Sequence, residues 1–235
     1  MRKAVFMDIG GHEGQTVDVV LDRNWIFSHI YSFEPDPKYA DLLTTKFATE
    51  IRAGKISILP FALGCEDRDA LLFDYNAAGG STIVPGFLAG EAKATSVRVV
   101  DINKFIAKLP GDVDIYIKMN CEGAEVELIQ RLVQMDDIRN IRSIMVDFDI
   151  VKSSGGYWTK RKTMKLAARK GLPIQLAEDV MFGNTHRKRI ENWLSYHRNI
   201  SLTDRKPRKK KFAHRVRDTL RDIRSAVGFS RRGYK

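Results

Sequence analysis

The sequence predicts one doubly wound α/β domain followed by a basic helical tail. Three observations point there. Short, near-continuous apolar runs alternate with stretches of helical periodicity. A glycine-rich turn follows the first run, and an acidic residue closes the second. The excess positive charge lies in residues 205–235.

The apolar runs at 4–7, 30–33, 56–59, 115–117 and 144–148 read as strands. Near-continuous apolar character fits a parallel sheet covered on both faces. Amphipathic stretches at 15–21, 39–47, 124–135 and 158–170 read as helices. In the second, Tyr39, Leu42, Leu43 and Phe47 share a face; Gly171 and Pro173 close the last. Strands separated by helices imply βαβ units with right-handed crossovers. Residues 68–100 break this rhythm. Extra strands at 71–75 and 97–100 flank a glycine-rich loop at 77–80, an insertion near the active face.

Composition narrows the class. At 235 residues and 43% hydrophobic, the chain suits one domain with a sizeable core. No apolar run approaches the roughly 20 residues that span a bilayer. The N-terminal apolar run turns acidic at Asp8, too soon for a signal peptide, so the expected location is cytoplasmic. Cys65 and Cys121 lack a CxxC partner and read as small buried thiols, with no zinc or other metal site. Of 40 Lys and Arg, 13 fall in 205–235; of 29 Asp and Glu, only 2 do, which leaves 27 of each in residues 1–204. The domain at 1–204 is formally neutral, so the overall charge says nothing about its substrate.

The turn after the first strand reads Asp8-Ile9-Gly10-Gly11-His12-Glu13-Gly14. In doubly wound folds ligands bind at the carboxyl ends of strands, near the switch in strand order. Glycines there let the backbone approach a ligand. The second strand ends in Glu34, placed to accept hydrogen bonds from a ribose diol. A dinucleotide fingerprint needs G-x-G-x-x-G; here His12 takes the place of the second glycine. Asp8 would repel a pyrophosphate and suits a cofactor with a cationic amino-acid end. S-adenosylmethionine carries an ammonium and a sulfonium and no phosphate, so the electrostatics favour it over NAD.

Four stretches then resemble the FkbM-type methyltransferases, a family of class I S-adenosylmethionine enzymes. They are Phe6-Met7-Asp8-Ile9-Gly10-Gly11-His12-Glu13-Gly14, Ser32-Phe33-Glu34-Pro35-Asp36-Pro37, Phe61-Ala62-Leu63-Gly64 and Ile117-Lys118-Met119-Asn120-Cys121-Glu122-Gly123-Ala124-Glu125. The resemblance implies a Rossmann-like seven-stranded sheet with the last strand antiparallel. It implies O-methyl transfer, usually to a hydroxyl of a sugar or another secondary metabolite. It places Asp8, Gly10 and Gly14 at the methionine end of the cofactor, Glu34 on the ribose, and Phe61 and Ala62 near the adenine. One position departs: the family usually has Asp where this chain has Asn120. Asn cannot ionise and is a weaker ligand for a hard metal.

Lys118, Asn120, Glu122 and Glu125 sit where the fourth motif meets its helix, and a hydroxyl acceptor must lose a proton. Glu122 and Glu125 would equally stabilise the helix dipole. Lys118 would bind an acceptor or pair with a carboxylate. His12 is a candidate base or a plain turn residue. Gly80-Ser81-Thr82 and Asp101 match weaker family positions that would close the site or shape the acceptor pocket, and a plain turn and a helix N-cap explain them equally well. Asp147 and Asp149 end the fifth strand and are second-rank candidates. Trp158, Trp193 and Tyr196 read as packing residues.

In the tail, Phe212, Val216, Leu220, Ile223 and Val227 recur at helical spacing among Arg215, Arg217, Arg221 and Arg224. Such a basic amphipathic helix suits an anionic membrane surface, nucleic acid, or docking on protein. The leading expectation is methylation of a sugar hydroxyl in a cell-surface glycan or its precursor, with the tail at the inner face of the membrane. A nucleic-acid acceptor, a small secondary metabolite, and a non-catalytic binding module are the competing readings.

Overall fold

The computed structural model describes residues 2–22, 24–75, 80–87, 93–180, 185–197 and 199–201. The tail at 205–235 and most of the loop at 77–80 lie outside the described residues. The chain begins with β1 (Ala4–Ile9), α1 (Gln15–Val20), β2 (His29–Phe33), α2 (Pro37–Lys46), α3 (Ala48–Arg52) and β3 (Ile56–Leu59). β4 (Ala62–Gly64), β5 (Arg68–Asp74), β6 (Ser81–Thr82), β7 (Lys93–Asp101) and α4 (Ile102–Ile106) follow. Then come β8 (Asp114–Met119), α5 (Glu125–Val133), β9 (Ile141–Val146), a 3-10 turn (Asp149–Lys152) and α6 (Gly156–Lys170). β10 (Ile174–Leu176), α7 (Ala177–Val180) and α8 (His186–Leu194) complete the described elements.

The main sheet runs β10-β9-β8-β1-β2-β3, and every pairing in it is parallel. From β1 the order proceeds outward through β2 and β3, then returns to β8 on the other side. The switch in direction therefore falls between β1 and β8, which is where doubly wound folds bind ligands. Every residue of β1 and β8 is buried, because both faces of the sheet are covered. Strand alternation divides the two cores. Val5, Met7, Ile9, Ile115, Ile117 and Met119 face Leu128, Ile129 and Leu132 of α5. Ala4, Phe6 and Tyr116 face Val17 and Val20 of α1 and Ile190, Trp193 and Leu194 of α8.

The main sheet has six strands among the described residues, all parallel. After β10 the described chain turns into α7 and then α8, which covers the sheet face beside α1. One expectation changes here. The insertion is larger than two strands. β4, β7, β5 and β6 form a separate four-stranded sheet, antiparallel except for β4 with β7. Boundaries also shift. The strand expected at 144–148 begins at Ile141 and ends at Val146, and the helix expected at 39–47 begins at Pro37. Asp36 caps that helix by accepting from the Lys38 N–H, with Pro37 at its first position.

Of the three aromatics read as packing residues, only Trp193 is fully buried; its indole N–H donates to Ser143 Oγ at 3.1 Å. Tyr196 is 37% exposed and Trp158 53%. Trp158 points to solvent because α6 turns Gly156, Thr163 and Ala167 inward, on its opposite side.

Candidate active site

The loops after β1, β2 and β8 surround a cavity of about 630 Å³ at the carboxyl edge of the main sheet. Its size suits a small-molecule ligand.

Local chemistry explains the first loop. Gly10 has φ +85°, and a Cβ there would lie 2.0 Å from the Asn120 carbonyl oxygen. Only glycine lets the β1 and β8 loops approach this closely. The Gly10 and Gly11 N–H groups both donate to the Phe33 carbonyl at 3.1 Å. His12 follows in a left-handed conformation, φ +46°, which directs its own N–H to Glu34 Oε2 at 2.7 Å. Three consecutive amides of the turn are thus bound within the protein and offer no cradle for a phosphate.

Glu34 is buried at the end of β2. Its Oε1 accepts from the Asp36 N–H at 2.9 Å, while Oε2 takes the His12 N–H. Burial pushes this carboxyl above its ordinary value, and the two amides oppose that shift. One lone pair on each oxygen remains for a ligand. Apolar wall comes from Phe33, Ala62, Leu63, Leu72 and Ile83.

Asp8 and Lys118 occupy equivalent register positions on adjacent strands and point to the same face. Lys118 Nζ lies 3.0 Å from Asp8 Oδ1 and donates to the Gly10 carbonyl at 2.9 Å. Burial pushes the Asp8 carboxyl up, and the Lys118 ammonium pulls it back. Asp8 is fully buried and pairs with Lys118, which itself lines the cavity. Of the two options for Lys118, the structure realises pairing with a carboxylate; the residue also clamps the glycine turn.

On the β8 side, Asn120, Cys121 and Glu122 line the cavity. The Asn120 side chain has no hydrogen-bond partner among the described residues. Glu122 has φ +48°, the second left-handed non-glycine residue beside His12. Both are cavity residues, which suits strain held at a functional site. Lys152 Nζ bonds Glu122 Oε2 at 2.7 Å and Asp149 Oδ1 at 2.8 Å. The insertion docks on this loop. Thr82 Oγ1 donates to the Glu122 carbonyl at 2.6 Å, and the Phe87 ring covers Gly123 so closely that a Cβ there would sit 2.6 Å away.

Other expected residues take different places. Gly14 does not line the cavity; it closes against Leu43 and Phe47, where a Cβ would be 2.7 and 2.6 Å away. Phe61 packs its ring on Phe33 at 5.8 Å, while Ala62 faces the cavity. Glu125 is fully buried, accepting from the Gly123 and Ile150 amides at 2.8 and 2.7 Å. Asp101 is a helix cap bound to Arg131. Asp147 and Asp149 are not among the cavity-lining residues, and Asp149 pairs with Lys152. Cys65 and Cys121 are half-buried; desolvation, with the Glu125 carboxylate beside it, holds the Cys121 thiol well above its usual value. Tyr116 is buried on the opposite face with its hydroxyl on Asn199, so it cannot stack on a base beside Asn120.

Sequence reasoning missed three contributors. His186 lines the cavity and meets Thr16 Oγ1 at 3.1 Å through Nε2. Tyr39 stacks on the His12 ring at 4.1 Å and fixes its direction. Lys152 holds Glu122. Tyr39 was legible only as part of a helix face; nothing local marks His186 or Lys152.

The fold and this cavity define a Rossmann-like α/β protein with a cavity at its topological switch point. The family model described as the methyltransferase FkbM domain matches residues 8–167, more than half of the chain. The chain belongs to the FkbM methyltransferase family. A comparison with curated proteins finds no match. Among solved structures, the crystal structure of methyltransferase FkbM from Methylobacillus flagellatus KT is similar at 17% identity and a TM-score of 0.39. The match covers 56% of this chain and 29% of that one. Among the described residues no group of His, Cys, Asp and Glu has metal-binding geometry, and no helix is long and apolar enough to cross a membrane.

Proposed function

We propose that this methyltransferase uses S-adenosylmethionine to methylate a sugar hydroxyl in a cell-surface glycan or its precursor. The carrying observation is the turn at Gly10–His12. Its amides are satisfied inside the protein, and one of them orients Glu34, whose free lone pairs suit a ribose diol. That combination fits a phosphate-free nucleoside cofactor better than a dinucleotide.

When bound, S-adenosylmethionine supplies an electrophilic methyl group on a sulfonium. The protein's own residues do the rest. Glu34 holds the ribose, and Ala62 and Leu63 give the base an apolar wall. The acceptor hydroxyl enters from the β8 side, where the free Asn120 amide orients it. Glu122, held by Lys152, accepts its proton. His12, oriented by Tyr39, is the alternative acceptor of that proton. Positioning supplies much of the acceleration in such a transfer. The glycan acceptor rests on the family resemblance.

Calorimetry with S-adenosylmethionine, S-adenosylhomocysteine and NAD tests the cofactor. Glu34→Ala is expected to weaken the S-adenosyl ligands by roughly 10–100-fold, the effect of losing a charge-assisted hydrogen-bond pair. Preference for NAD, or unchanged affinity in the variant, overturns the reading.

A further inference from the structure

The solvent face of α6 is a basic stripe that neither the fold nor the cavity uses. This helix carries Lys160, Arg161, Lys162, Lys165, Arg169 and Lys170 and no acidic residue. At about 100° per residue, Trp158, Arg161, Lys162, Lys165 and Arg169 fall within an arc of roughly 100°. All five are exposed. Lys160 lies off the stripe and pairs with Glu178. Arg161, Lys162, Lys165 and Arg169 have no ion-pair partner among the described residues. Leu166 flanks the stripe and is itself exposed.

We propose that this face of α6 docks on an anionic lipid surface. Two features favour lipid over nucleic acid as the occupant. Apolar groups that gain nothing from phosphates accompany the cations: Trp158 within the stripe and Leu166 beside it. An exposed indole among Lys and Arg suits the headgroup level of a bilayer, where Trp anchors and the cations meet anionic lipid. The Arg161 guanidinium already sits 5.7 Å from the Trp158 ring centroid, covering one of the faces a base would stack on. Trp158 also lies at the cavity end of the helix. Lys152, six positions earlier, bonds the cavity residue Glu122. Docking through α6 therefore brings the cavity rim close to the lipid headgroups. This surface is separate from the tail and does not depend on the identity of the cofactor.

Trp158 makes the test specific. The chain has three tryptophans, Trp25 and Trp193 are buried, and residues 202–235 contain none. The full-length protein is mixed with vesicles of phosphatidylcholine alone, or of equal phosphatidylcholine and phosphatidylserine, and with a single-stranded RNA. Anionic vesicles are expected to blue-shift the tryptophan emission. Brominated acyl chains are expected to quench it, and Trp158→Phe to abolish both signals. The triple variant Arg161→Glu, Lys165→Glu, Arg169→Glu is expected to bind roughly 100-fold more weakly. Its thermal melt, at exposed positions, is expected to match the wild type. Sedimentation with anionic vesicles while Trp158 emission stays unchanged overturns the proposal, because the tail then carries the binding. Quenching by RNA but not by brominated lipid overturns it in favour of nucleic acid.

Discussion

Glu125 shows how one buried side chain reports on the site. Its carboxylate ties the first turn of α5 to the Asp149–Lys152 turn through the Gly123 and Ile150 amides. Burial pushes its pKa up to about 7, with Asp149 adding to the shift and the amides opposing it. The folded state therefore holds this proton more tightly than the unfolded chain. Its stabilisation is full below pH 4.5 and is lost as pH rises through about 7. The shift corresponds to about 3 kcal/mol. Urea midpoints of the wild type are expected to fall toward, or below, those of Glu125→Gln between pH 5 and 8. Parallel midpoints across that range contradict the assignment. Such a residue was legible in the sequence only as acidic charge near a helix start, where dipole stabilisation explained it equally well. Its burial depends on Ile150, 25 positions away.

At the scale of elements, the insertion and the main sheet are joined through α4 and α5. Asp101 ends β7, caps α4 through the Asn103 N–H at 2.8 Å, and receives a two-pronged contact from Arg131 of α5. Asp101 is 2% exposed, and removing it leaves Arg131 with Gln134 Oε1 but without its carboxylate partner. Asp101→Ala is expected to cost about 2–4 kcal/mol in urea unfolding, combining the lost cap with the broken pair. Affinity for S-adenosylhomocysteine in the folded variant is expected to stay near wild type, since Asp101 is not on the cavity wall. A selective loss of affinity without destabilisation would show the opposite role. The N-cap was readable from Asp101 preceding Ile102. The contact with Arg131 was not, because it forms only when β7 and α5 pack.

Across the molecule, two histidines make folding sensitive to acid. His197 packs its ring on Tyr116 at 5.2 Å, and burial lowers its pKa from 6.5 to about 4. His186 shifts to about 4 for the same cause, aided by Lys118 and Arg189. A base with a lowered pKa gives stability above 6.5 that is lost as pH falls through about 4, the opposite sign to Glu125. His197→Phe keeps an aromatic ring against Tyr116 and Trp193. It is expected to flatten the acid limb of a thermal-melt profile between pH 6.5 and 4, by up to about 3 kcal/mol. An acid limb identical to the wild type contradicts this.

What the sequence by itself determined is local. Apolar runs of period near one marked the buried strands, because both faces of a parallel sheet are covered. Gly10 and Glu34 marked two sides of one cavity, because turn and strand-end chemistry act over a few residues. The tertiary structure decided everything that joins distant positions. Lys118 and Gly10 meet across 108 residues, and Thr16 and His186 across 170. Lys118 meets Asp8 because β8 lies beside β1 in equal register. Trp158, readable as core from its type alone, faces water because α6 had already spent its buried side on Thr163 and Ala167. Periodicity tells which residues share a face; only packing of the elements tells what that face meets.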